Sequence, residues 1–190
     1  MEITYKANSA QDFANRLKEV ISHLDDSIFK KPGIVSISND ERYKNSGTAA
    51  FSSKRPIFHW LGMRDNYFIF AKSKNLEKSI NFEFMATSVA AHEVRHRFQY
   101  YNKNVLITYD FLKQKKYIPG KVLEHIYFEN YNLYGKNKTD FDMEFDASII
   151  EAIVDLGYQH PNFTMDTVIK LIQCSEDTIG DVLSKIVRPI

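Results

Sequence analysis

The sequence predicts an α+β fold, a small mixed sheet packed on one long helix and followed by a helical C-terminal half. Three observations carry this expectation. Short β-like runs cluster between residues 34 and 71. The stretch from Ser79 to Tyr101 contains neither Pro nor Gly and repeats its apolar residues at helical spacing. Beyond residue 120 the apolar residues recur every three or four positions. No repeat, low-complexity tract or linker demands a second unit, so residues 1–190 are expected to form one domain.

The elements follow in order. Ser9, with Asp12 three residues on, reads as the start of a helix over about 10–24, carried by Phe13, Leu17, Val20, Ile21 and Leu24. Pro32-Gly33 marks a turn and Ile34 to Ser38 a short strand. Asn39 to Pro56 is polar and reads as a loop. Ile57 to Met63 and Tyr67 to Ala71 are β-like, with Arg64-Asp65-Asn66 as the hairpin turn. A long helix is expected over about 80–101. Val105 to Tyr109 fits a strand or a helix start equally well. Pro119-Gly120 breaks the chain, and Val122, Leu123, Ile126 and Tyr127 open a helix that ends before Gly135. Thr139, with Asp142 three residues on, starts another that runs to Gly157. One or two helices fill about 164–187.

Composition narrows the function classes. A hydrophobic fraction of 44% in 190 residues suits a globular core. The net charge of +1 gives no electrostatic reason to expect nucleic acid or a membrane surface as a partner. Met1 to Lys6 shows no apolar run of signal-peptide type, and no segment approaches the ~20 apolar residues of a membrane span. The single Cys174 excludes an internal disulfide and fits a reducing, cytoplasmic setting. It is expected to be a small buried residue rather than a nucleophile.

Within the long helix lies His92-Glu93-Val94-Arg95-His96, an H-E-x-x-H pattern. Residues four apart share a helix face, so one divalent ion can bridge both imidazoles, and Glu93 can reach a water on that ion. With 6 His in the chain, chance would place such a pattern in roughly one chain of this kind in a hundred. Met85, Val89, His92, His96 and Gln99 form one stripe, and Ala90, Val94 and Phe98 a second, which predicts a helix packed on two sides. Arg95 and Arg97 read as surface ion-pair residues, and His59 as a structural strand residue.

A catalytic zinc takes three protein ligands and keeps a position for water. Gln99 and Asn102 stand where a metzincin would need Gly and His, which rejects that class. Candidates for the third ligand lie in Asp142-Met143-Glu144-Phe145-Asp146-Ala147 and in Glu151-Ala152-Ile153-Val154-Asp155. The H-E-x-x-H followed by Glu144-Phe145-Asp146-Ala147 resembles the gluzincin plan of small cytoplasmic zinc peptidases, some of which cleave repressor proteins. The resemblance covers two short motifs within about 65 residues. It implies a zincin-like fold, Zn2+ held by His92, His96 and Glu144, and Ala147 as the small residue that lets two helices approach. Glu151 to Asp155 matches instead the E-x-x-x-D of thermolysin-like gluzincins. Glu144 and Glu151 stand two helical turns, roughly 10 Å, apart, so only one can sit beside the ion. Asp142, Asp146 and His125 remain further candidates. His125, Tyr131 and Tyr134 are also candidates to stabilise an oxyanion.

The resemblance thus implies a zinc-dependent metallopeptidase with Glu93 as general base and a peptide or protein as substrate. An edge strand, here Tyr67 to Ala71, would align that substrate. Two alternatives stay open. One is a non-catalytic binding or regulatory domain on a zincin scaffold. The other is a metal hydrolase for a different amide or ester.

Overall fold

The computed structural model describes residues 10–31, 33–38, 50–59, 62–70, 82–102, 105–157, 160 and 162–186. In chain order its elements are α1 (Ala10–Ile28), β1 (Ile34–Ser38), β2 (Ala50–His59), β3 (Gly62–Phe70), α2 (Phe82–Tyr101), α3 (Tyr109–Lys115), α4 (Gly120–Tyr134), α5 (Lys138–Gly157), α6 (Met165–Gln173) and α7 (Glu176–Ile186). The chain divides into two compact units, Met1–Val94 and Arg95–Ile190. The boundary falls inside α2, which is one continuous helix.

In the first unit, α1 buries Phe13, Leu17, Val20, Ile21 and Leu24, the stripe read from the sequence, and extends about one turn beyond its expected end. The strands form one sheet in the order β1-β3-β2, with β1 parallel and β2 antiparallel to β3. Ser53 pairs with Asn66 and Ile57 with Arg64, so the ladder is irregular between them. Pro56 lies in that interval and has no N–H to offer the ladder. α1 packs against β1 and β3. Tyr67 and Ile69, two apart and therefore on one face of β3, are both buried. The Tyr67 hydroxyl donates to Asp25 Oδ1 at 2.5 Å, and the Gly33 N–H donates to Asp25 Oδ2 at 2.7 Å. One buried carboxylate on α1 thus ties that helix to β3 and to the residue preceding β1.

The second unit is helical. The pairs α3–α4, α4–α5, α5–α6 and α6–α7 pack on one another. Its core centres on α5, which buries Phe145, Ile149, Ile150, Ile153 and Val154. Tyr109, Tyr127, Phe141 and Phe145 form a run of ring contacts with centroids 4.4–6.3 Å apart along α3, α4 and α5. Thr108 caps α3 by accepting from the Phe111 N–H, and Thr164 caps α6 by accepting from the Thr167 N–H.

The expected fold class is corrected by this arrangement. The chain is mostly helical rather than α+β, with seven helices against three strands among the described residues, and its mixed sheet is only a small part of it. The strands are confined to the first unit. Alternation in the sequence reveals a strand but not the size of the layer it joins. Here that layer has three strands, whereas most residues seen buried among the described ones lie on helices. Four local expectations are corrected as well. β3, which holds Tyr67 to Phe70, lies between β1 and β2 and is not the edge strand expected to align a substrate. Ala50 to Pro56 is strand rather than loop, and Arg64 to Asn66 lies within β3 rather than in a turn. The cap of α5 is Asn137 rather than Thr139, since Asn137 Oδ1 accepts from the Thr139 N–H at 3.1 Å. Ser9, Pro32, residues 39–49 and Ala71 lie outside the described residues.

Candidate metal centre

α2 sets His92 and His96 one turn apart, and α5 supplies Glu144. One ligand atom from each lies within 4.8 Å of the others. His96 Nε2 stands 3.3 Å from Glu144 Oε2. That separation is long for a charge-assisted hydrogen bond. It is near the roughly 3.3 Å expected between two ligands held about 2.0–2.2 Å from a tetrahedral ion. Two imidazoles and a carboxylate are a zinc-type donor set, and the residues fit that ion. The His96 and Glu144 side chains keep 13% and 28% of their exposure, so the pair is shielded but reachable. Glu93, next to His92 on α2, is buried at 6% exposure.

The remaining candidates for the third ligand stand elsewhere. Asp146 is fully buried and paired with Arg95. His125 is exposed and lies 3.4 Å from Glu129 on its own helix. Glu151 and Asp142 are half-buried on α5 and do not join the group of three. Tyr131 is exposed, as is Tyr134. The side chain of His59 lies outside the described residues.

Around this group the structure builds a polar network that the sequence did not announce. Arg95, expected at the surface, is fully buried. Its guanidinium makes a two-pronged pair with Asp146, Nε to Oδ2 at 2.7 Å and Nη2 to Oδ1 at 2.9 Å. Nη1 donates to the carbonyls of Ile172 (2.6 Å) and Cys174 (2.8 Å), and Nη2 to that of Val105 (2.6 Å). All five N–H donors of the fork are therefore used. The Ile172 and Cys174 carbonyls lie at the C-terminal end of α6, where a helix leaves acceptors open and favours a cation. Asp146 accepts two further bonds, from Ile107 N–H at 3.0 Å and Gln99 Nε2 at 2.6 Å. Gln99 Nε2 also donates to the Met143 carbonyl at 2.9 Å, and Gln99 Oε1 lies 3.0 Å from His96 Nδ1. Arg97, also expected at the surface, is buried, with its guanidinium 5.8 Å from the Tyr101 ring centroid.

Cys174 is buried at 2% exposure, and its thiol donates to the Leu171 carbonyl. Burial pushes the thiol up to about 12 from 9.0; the Arg95 charge opposes this and the Asp146 charge adds to it. A thiol so held is not a nucleophile at neutral pH.

Only an acid at the right place on α5 hinted at this network. An Arg between the two histidines, with an acid two residues after the candidate ligand, is a signal only once α2 and α5 are known to be paired. No protein family, curated protein or solved structure matches the chain. Among the described residues no helix is long and apolar enough to cross a membrane.

Proposed function

We propose that the chain is a zinc-dependent metallopeptidase of gluzincin type, acting on a peptide or protein in a reducing compartment such as the cytoplasm. The observation that supports it most is the gathering of His92, His96 and Glu144 within 4.8 Å, with Glu93 buried beside His92 on the same helix. His92 and His96, as neutral imidazoles, and Glu144, as a carboxylate, would hold the ion. When bound, zinc supplies a Lewis acid that polarises a carbonyl and acidifies water. Glu93 takes a proton from the attacking water and passes it to the leaving amine. The single buried thiol, with no disulfide partner in the chain, supports the reducing setting.

The test is metal content and hydrolysis together. Purified wild type should carry about one zinc per chain, and His96→Ala and Glu144→Ala should lose it. Glu93→Gln should keep the zinc and lose peptide hydrolysis by at least about a hundredfold. Zinc retained in Glu144→Ala would remove that residue from the ligand set. A wild type that binds no zinc after loading and dialysis would overturn the proposal.

A further inference from the structure

We infer that Gln99 is the positioning residue of this centre. It holds His96 in the tautomer that carries the proton on Nδ1 and not on Nε2, and it pins the α5 backbone beside Glu144. The inference rests on the metal-centre reading and deepens it.

The orientation of the Gln99 amide follows from its neighbours. Its nitrogen faces the Met143 carbonyl at 2.9 Å and Asp146 Oδ2 at 2.6 Å. A carbonyl oxygen can only accept, and so can an ionised carboxylate clasped by an arginine fork. A flipped amide would set oxygen against oxygen at both contacts. The atom 3.0 Å from His96 Nδ1 is therefore Oε1, an acceptor. A neutral imidazole carries one N–H, so His96 must place it on Nδ1 and leave the lone pair on Nε2. Nε2 is the atom that stands 3.3 Å from Glu144 Oε2.

The same amide ties the two ligand-bearing helices together. His96 and Gln99 lie on α2, three residues apart and on one face. Met143, whose carbonyl Gln99 grips, directly precedes Glu144. Gln99 is itself held by Asp146, and Asp146 by Arg95, the Ile107 N–H and Gln99 together. At 3% exposure Gln99 has no room to exchange these partners for water. The chain Arg95–Asp146–Gln99–His96 fixes the ligand's proton before any ion arrives. Hydrogen bonds of this kind orient a metal-ligating imidazole, and their loss typically costs about 10–100-fold in metal affinity.

The experiment uses the full chain, with wild type, Gln99→Leu and Gln99→Glu. Nitrogen-15 NMR of the metal-free protein reads which ring nitrogen of His96 carries the proton. Competition with a chromophoric chelator reads zinc affinity. The wild type should show the proton on Nδ1. Gln99→Leu, which has neither acceptor nor donor, should lose that preference and bind zinc about 10–100-fold more weakly. Gln99→Glu keeps an acceptor for His96, so the proton should stay on Nδ1, but it sets oxygen against the Met143 carbonyl and Asp146 Oδ2 and should still weaken zinc binding, because the tie to α5 is lost. Thermal melts of both variants verify that they fold. The inference is overturned if His96 in the wild type carries its proton on Nε2. Unchanged zinc affinity in Gln99→Leu would also overturn it, as would loss of the Nδ1 proton in Gln99→Glu. A wild type with the Nδ1 proton but no zinc affinity would locate the failure in the metal-centre reading, and would end the role of Gln99 with it.

Discussion

Replacing Arg95 by Met removes the guanidinium but keeps a long, flexible side chain in the space it filled. Arg95 and Asp146 both have fully buried side chains. The substitution leaves the Asp146 carboxylate with only Gln99 Nε2 and the Ile107 N–H as donors. It also takes one donor each from the carbonyls of Val105, Ile172 and Cys174. Breaking one side of a buried pair costs about 3–5 kcal/mol, because the remaining charge stays out of water. The deprived carbonyls place the expected loss in the upper part of that range. For a chain of this length each kcal/mol moves the melting temperature by about 2–4 °C, so a fall of roughly 8–20 °C is expected. Urea unfolding followed by circular dichroism gives the free energy, and a thermal scan gives the melting temperature. A loss below about 1 kcal/mol, the value of a surface pair, would show that this buried pair does not carry that cost. The double variant Arg95→Met/Asp146→Leu should recover only part of the loss: it buries no charge, but the three carbonyls and the Ile107 N–H stay without these partners. Arg95→Lys should not recover the loss, because an ammonium cannot reproduce the planar fork that reaches the carboxylate and three carbonyls at once.

Two further outcomes are expected. Cys174 has a higher pKa folded than unfolded, so the folded state keeps the proton that the unfolded chain gives up above pH 9.0. This stabilisation is fully present below pH 9.0 and is lost as the pH rises towards about 12, by up to about 1.4 kcal/mol per pH unit. Wild type should therefore lose stability more steeply than Cys174→Ala above pH 9.0; parallel curves in urea titrations would exclude the buried thiol as the cause. In the first unit, Tyr67→Phe removes the hydroxyl that donates to Asp25 and should cost about 1.5–3 kcal/mol, the range for a hydrogen bond to a charged group. An unchanged urea midpoint would show that this bond does not hold α1 to β3.

Local features were legible in the order of residues alone. The Pro- and Gly-free run with its helical stripe located α2 within about two residues. The i, i+4 spacing placed His92 and His96 on one face, because that face follows from helix geometry alone. The buried stripe of α1 and the run of β1 were legible for the same reason, since a period of 3.6 or 2 is written in the order of residues. Helical periodicity could not separate Glu144 from Glu151, because seven residues bring a helix back to nearly the same face. Only the packing of α5 decided which acid stands beside His96. Nor could it tell that Arg95 and Asp146 are buried. A charged residue looks the same in sequence whether it meets water or a partner fifty-one positions away, and only the tertiary fold supplies that partner. The balance of helix over sheet was settled in the same way. Strand alternation is local, but the number of helices that bury one another is a property of the whole chain.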